Sequence, residues 1–251
     1  MDRIFCGDEH EIAFSYVRTP GSRHREKKMP CEDVVWIRKS REWLFCGLAD
    51  GKSGARYGAE GGRLCLEAIS DYIDSAGIRN MLDHPFPDEL PCTIIKAYRE
   101  RLLQTAQKKS ADFKEFASTL LAIAVDLNTG KYMLMHLGDG STIRITERGD
   151  ATVVSTPDNG LTSCHTWLTT SAYAVSHLRV SFGTLRHGER LMMLSDGATC
   201  FCRNSEIPSR AKNLLKQGSQ SEICRYLLAG ALSDDAACIV LDCRGRNLSE
   251  K

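Results

Sequence analysis

The amino-acid sequence predicts an α+β fold: a four-layer α-β-β-α sandwich of two packed, mostly antiparallel sheets flanked by helices. Three observations lead there. Short apolar runs bounded by polar or glycine-containing stretches recur along the chain, two long amphipathic segments interrupt them, and strands do not alternate one for one with helices as a parallel βαβ sheet would need. With 42% hydrophobic and 26% charged residues in a chain of 251, the composition suits a buried core and not a disordered segment. Residues 1–243 are expected to form one domain, followed by a frayed polar tail at 244–251.

Residues 11–18, 34–37 and 43–49 read as strands, each short and bounded by turn-forming or charged positions. Between 58 and 76 the side chains of Leu64, Leu66, Ala68, Ile69, Tyr72 and Ile73 recur mostly at intervals of three and four, the spacing of one helix face, and Gly77 is a stop. Residues 91–109 repeat the pattern with Ile94, Ile95, Tyr98, Leu102, Leu103 and Ala106. The character then changes to strand-like runs at 118–125, 131–137, 142–146, 151–155, 174–181 and 191–194, separated by turn signals such as Asn128-Thr129-Gly130. Helical stretches return at 206–216 and 220–228, and an apolar strand at 236–241 closes the chain.

The 33 basic and 32 acidic residues, with 7 His, leave a formal net charge of +1. That balance argues against holding nucleic acid through phosphate contacts and against a basic membrane-facing surface, so neither partner is expected. The first residues lack the basic head and apolar stretch of a signal peptide, and no run approaches the roughly 18 apolar residues of a membrane span. Most of the 11 cysteines are therefore expected to be reduced, small buried hydrophobes of a monomeric cytoplasmic protein. They include no Cys-x-x-Cys pair, and Cys200 and Cys202 have no second pair with which to complete a zinc site.

The chemistry lies in the aspartates. Asp33, Asp50, Asp196 and Asp234 sit at ends of predicted strands beside glycine or another acid, and Asp139 follows the same pattern in Leu137-Gly138-Asp139-Gly140. A single Asp-Gly after an apolar strand is ordinarily a turn. Five are another matter. Two carboxylates brought within 4 Å at an effective dielectric of 20 repel by about 4 kcal/mol, so a cluster at one sheet edge needs cations. Oxygen-only ligands suit magnesium or manganese, and two such ions can activate a shared water for in-line attack on phosphorus.

In chain order, Glu32-Asp33, Ala49-Asp50-Gly51, Ser118-Thr119, Gly138-Asp139, Ser195-Asp196-Gly197 and Asp234-Asp235 resemble the motifs of the metal-dependent protein phosphatases of the 2C type, in particular the stand-alone bacterial catalytic domains. The resemblance runs from about residue 11 to residue 241. It implies a β-sandwich flanked by helices, two Mn2+ or Mg2+ ions, and hydrolysis of phosphoserine and phosphothreonine on phosphorylated proteins. Transferred to this sequence, it has Asp50 bridge both metals and the Gly51 carbonyl bind one of them. Asp33, Asp196 and Asp234 complete the metal shells, and Glu32 orients the catalytic water; an edge-strand surface charge is the plainer reading of Glu32. Asp139 is either a ligand, with Asp196, to a third metal or a hairpin-turn Asp-Gly. The cation that holds the substrate phosphate falls by offset on Lys28, five residues before Asp33, with Arg25 as a substitute in the basic loop Arg23-His24-Arg25-Glu26-Lys27-Lys28.

The sequence departs from the family after Asp50, where Lys52 replaces the His that eukaryotic members use as general acid, and at Asp139-Gly140, where relatives read Asp-Ser. These departures motivate the rival reading, a catalytically weak or inactive 2C-like module that binds metal and phosphoprotein in signalling. A serine hydrolase is disfavoured because no Gly-x-Ser-x-Gly elbow occurs, and Cys164 beside His165 would point to the opposite face of an extended segment. Residues 156–171 fall where relatives carry a variable flap, and Trp167 there either packs on substrate or is buried under the loop.

Overall fold

The computed structural model describes residues 2–6, 10–83, 88–159, 166–201, 218, 222–223, 226 and 233–245. Its elements are β1 (Asp2–Cys6), β2 (His10–Thr19), α1 (Ser22–Lys27), β3 (Asp33–Lys39), β4 (Trp43–Asp50), α2 (Gly58–Ala76), α3 (Ile78–Asp83), α4 (Leu90–Lys109), β5 (Leu120–Asp126), β6 (Lys131–Leu137), β7 (Ser141–Ile145), β8 (Ala151–Ser155), α5 (Ala174–His177), β9 (Arg179–Thr184), β10 (Arg190–Leu194) and β11 (Ala236–Gly245). One sheet runs β1-β2-β11-β10-β7-β8 and the other β3-β4-β5-β6-β9, and every pairing is antiparallel.

The layering follows from the two-residue period of strands whose faces are both covered. On β4, Trp43, Phe45 and Ala49 join the core shared with α2 and α4, whereas Leu44, Cys46 and Leu48 join the core between the sheets. β5 divides in the same way, Leu120, Ala122 and Ala124 to the helices and Leu121, Ile123 and Val125 to the inter-sheet core. The faces of β10 and β11 turned away from that core bury Met192, Leu194, Cys238 and Val240 with Ile223. The expected four-layer order therefore holds, with the outer helical face of the first sheet represented among the described residues by Ile223 and Tyr226. No helix among the described residues is long and apolar enough to cross a membrane.

Four local readings change. Of residues 23–28, expected as a basic loop, 23–27 belong to α1 and Lys28 caps it; the helix buries no residue of its own and so carries no apolar period, and its last turn is basic, which suits the negative end of the helix dipole. The strand expected at 174–181 is one turn of helix, α5, followed by β9: Ala174 and Leu178, four apart, are both buried against the α4 side of the core. β1 and α3 were not read from the sequence. β11 continues to Gly245, two residues into the segment expected as tail, pairing Arg244 and Gly245 with Glu11 and His10. The helices expected at 206–216 and 220–228 lie largely outside the described residues, as do Cys164 and His165. Cys46, Cys65, Cys238 and Cys243 are buried, as expected of cysteine used as a core residue, whereas Cys31 is half-buried and Cys92 is exposed.

Candidate metal centre

Antiparallel pairing of β3 with β4 sets Asp33, the first residue of one strand, opposite Asp50, the last of the other. β10 ends beside them, so Asp196 arrives from its C-terminal extension, Asp139 from the β6–β7 turn, and Asp234 from the approach to β11. Ligand oxygens of Asp50, Asp139 and Asp196 all lie within 4.8 Å of one another. Asp139 is thus part of the acidic cluster as well as of a turn, and its Oδ2 accepts a 2.5 Å bond from the Thr166 hydroxyl. Asp234 lines the same cleft from an exposed position, its Oδ1 accepting from the Asp235 N–H.

Burial, and then the charges of Asp33, Asp196, Asp139 and Asp234, push the Asp50 carboxyl up to about 10. Asp33 is pushed up to about 7, chiefly by burial, with the Ser195 hydroxyl pulling the other way. Asp196 rises to about 6 through burial and the charges of Asp139 and Asp234. Without a cation Asp50 therefore keeps its proton at neutral pH. Asp33 is wholly buried, and among the described residues its Oδ1 meets no hydrogen-bond donor. The oxygens of Asp50, Asp139 and Asp196 at this spacing, with the buried and unsatisfied Asp33 paired opposite Asp50 and no His or Cys among the described members of the cluster, are a donor set for a hard divalent cation.

Several residues hold these carboxylates in place. Thr119 accepts the Asp50 N–H on its hydroxyl and donates its own N–H to the Asp50 carbonyl, both at 2.9 Å, so the Ser118-Thr119 pair fixes the end of β4. Ser195 donates to Asp33 Oδ2 at 2.7 Å and accepts from the Ala237 N–H at 2.8 Å, tying β3 to β11 through one hydroxyl. Gly51 has no room for a side chain: a Cβ there would lie 2.7 Å from the Ala59 nitrogen and 2.8 Å from the Gly58 carbonyl carbon. Its backbone is thereby pressed between the start of α2 and the cleft it lines.

The cleft, about 820 Å³, is lined by Asp50, Gly51, Asp139, Asp196, Asp234 and Glu32, and on its cationic side by Arg23, His24, Lys52 and Lys114. Burial raises the Glu32 carboxyl, so Glu32 is more than a surface charge. Neither Lys28 nor Arg25 lines the cleft. Both are exposed, Arg25 donates to the Pro20 carbonyl 2.9 Å away, and Lys28 ends α1 in the left-handed conformation, because the segment is a helix and turns these positions outward. Trp167 lines the cleft half-buried and stacks on His177 with ring centroids 3.8 Å apart, while His177 meets Asp158 at 3.0 Å. His24, Ser195 and Asp235 are given no role of their own by the sequence, although each lies inside a segment that it marks: the basic stretch Arg23–Lys28, the Ser195-Asp196-Gly197 motif and the Asp234-Asp235 pair.

A helix-covered pair of antiparallel sheets with strand-end carboxylates gathered at one edge defines a class of layered α+β proteins built around a cation site. The sequence profile of the protein phosphatase 2C family matches residues 20–233, and the chain belongs to that family. Among the curated proteins no sequence matches significantly. Among solved structures, the chain is similar to the S. agalactiae serine/threonine phosphatase (TM-score 0.67, 16% identity, covering 92% of this chain and 99% of that one). It is also similar to the catalytic domain of the serine/threonine protein phosphatase PstP in complex with two manganese ions (TM-score 0.65, 18% identity, 94% and 99%). RsbX in complex with magnesium aligns as well (TM-score 0.62, 14% identity, 94% and 96%).

Proposed function

We propose that the protein is a metal-dependent phosphoprotein phosphatase that hydrolyses phosphoserine and phosphothreonine. The observation that carries this reading is the convergence of Asp50, Asp139 and Asp196, from three separate chain segments, on one oxygen-only cluster in a cleft, with Asp33 paired opposite Asp50. Asp33, Asp50, Asp196, Asp234 and the Gly51 carbonyl would hold two Mn2+ or Mg2+ ions, with Asp139 available to a third. When bound, such ions supply a water acidic enough at neutral pH to attack phosphorus. The remaining work belongs to the chain. Thr119, Ser195 and the clamped Gly51 keep the carboxylates from rearranging, Glu32 accepts a hydrogen bond from the attacking water, and Arg23, Lys52 and Lys114 supply the positive charge that draws a phosphorylated segment into the cleft.

The test is manganese-dependent hydrolysis of p-nitrophenyl phosphate and of a phosphoserine/phosphothreonine peptide panel by the wild type and Asp50→Asn. Activity that needs manganese and is lost in the variant supports the reading. A wild type inert with manganese sinks it in favour of a binding module.

A further inference from the structure

Beside the carboxylate cluster the cleft holds a second pair, His24 and Asp235. A Cβ on Gly21 would lie 2.3 Å from the Asp234 carbonyl carbon, so the chain entering α1 presses against the backbone just before Asp235. The Asp235 carboxylate, 3% exposed, accepts from the Gly21 N–H at 2.8 Å and the Glu32 N–H at 2.5 Å. It also meets His24 Nδ1 at 2.8 Å. A carboxylate so placed accepts only, which assigns the Nδ1 proton to the ring as donor. The other ring nitrogen, Nε2, is left to the cleft. The carboxylate nearest to it is Glu32, at 3.9 Å, which is too long for a hydrogen bond.

We propose that His24 donates a proton from Nε2 to the leaving oxygen of the phosphomonoester, with Asp235 as the positioning residue that fixes the ring. This rests on the phosphatase reading above. A carboxylate on the far nitrogen of an imidazole fixes the ring's orientation and tautomer and leaves the other nitrogen to exchange a proton. The charged groups that line the cleft with His24 are Asp234 and Asp235 from the approach to β11, Glu32 from the approach to β3, Asp50, Asp139 and Asp196, and the cations Arg23, Lys52 and Lys114. Arg25 lies beside His24 on its own helix and is exposed. Lys52, at the position after Asp50-Gly51, is exposed at the rim.

In the step, water oxygen bonds to phosphorus and the bond from phosphorus to the ester oxygen breaks. The Nε2 proton moves to that oxygen, giving the serine or threonine hydroxyl. One water proton stays on the product phosphate and the other leaves to solvent, from which Nε2 is reprotonated. One water is consumed and one alcohol and one phosphate form.

The experiment measures kcat/KM with manganese over a series of aryl phosphates, from p-nitrophenyl to phenyl phosphate and then a phosphoserine peptide, for wild type and His24→Gln. A proton donor matters most when the leaving oxygen is most basic, so the variant should lose roughly 10²-fold or more on phenyl phosphate and the peptide and far less on p-nitrophenyl phosphate. Titration calorimetry should show manganese bound by the variant as by wild type. A second measurement needs only the wild type: the dependence of rate on leaving-group basicity should be steeper at high pH, where Nε2 has no proton to give, than at low pH. Equal dependence in both proteins, or a wild-type dependence that does not change with pH, overturns the role of His24 and leaves the phosphatase reading standing. An inert wild type overturns the phosphatase reading itself.

Discussion

Replacing Asp50 by Asn should stabilise the metal-free protein and abolish its response to manganese. The folded chain holds the Asp50 carboxyl at about 10 against an ordinary 3.8, because it is buried among like charges. Below the ordinary value both folded and unfolded chains are protonated and nothing is lost. As pH rises above it, the unfolded chain gives up the proton while the folded chain must keep it, and stability falls with pH up to the folded value. At 1.36 kcal/mol per pH unit, that is on the order of 5 kcal/mol against folding at about pH 7.5 and on the order of 2 kcal/mol at about pH 5. Asn is isosteric, uncharged at every pH, and can turn its amide protons toward Asp33 and Asp196. For a chain of this length the gain corresponds to roughly 10 °C or more at about pH 7.5 and about half that or less at about pH 5. The assay is thermal melting in chelator across that pH range, repeated with excess manganese. A variant that melts below wild type throughout, or a gain that does not grow with pH, refutes the electrostatic reading of the cluster.

Manganese affinity should tighten as pH rises through the values near 6 and 7 of Asp196 and Asp33, since ligation requires the protons on these groups and on Asp50 to leave. Calorimetry in buffers of different ionisation enthalpy should find about one proton or more released per chain at neutral pH, and none released would contradict the assignment. Ser195→Ala removes the donor to Asp33 Oδ2 and the acceptor of the Ala237 N–H, both buried, and should cost roughly 2–4 kcal/mol in urea unfolding with weaker manganese binding; a loss below about 0.5 kcal/mol would show that water replaces the hydroxyl. Asp234→Asn changes an exposed carboxylate whose Oδ1 can still accept from the Asp235 N–H, so metal-free melting should stay within about 0.5 kcal/mol of wild type while the manganese-induced rise shrinks. An unchanged rise would remove Asp234 from the metal site.

Periodicity is a local property, and it carried the fold as far as local properties reach. β4 and β5 are apolar on both faces and end in Asp50 and Asp126, and α2 and α4 repeat at helical spacing, with Gly77 closing α2, so the strands, the helices and the aspartates at strand ends were legible. The six-residue α1 was not, because nothing in it is buried; nor was the α5 turn, whose two buried residues are too few to establish a period. The supports of the site were illegible for a different reason. Ser195 reaches Asp33 across 162 residues and Asp235 reaches His24 across 211, and a serine or aspartate at a strand end looks alike in sequence whether it binds a cation, caps a turn or tethers another segment. The phosphate cation shows the same limit: the family's offset points to Lys28, with Arg25 beside it, whereas α1 leaves both exposed and Arg23 and His24 line the cleft.

The acids of the cleft also differ in depth, and depth divides their labour. Asp33 is wholly enclosed, Asp50, Asp139 and Asp196 are partly covered, and Asp234 is open to solvent. Asp234 lines the cleft in the open, whereas Asp33 is closed off from solvent with its Oδ1 unpartnered among the described residues. Asp33 and Asp50 are costly to ionise and are held by hydroxyls and backbone on several strands, which fixes where their oxygens stand. Asp234 is exposed and lightly held, which suits exchange with water. Its neighbour Asp235 spends its whole carboxylate on α1, Glu32 and His24. Two adjacent acids of one motif therefore differ in their surroundings: Asp234 lines the cleft with its carboxylate open to solvent, and Asp235 binds α1 to the approach to β3.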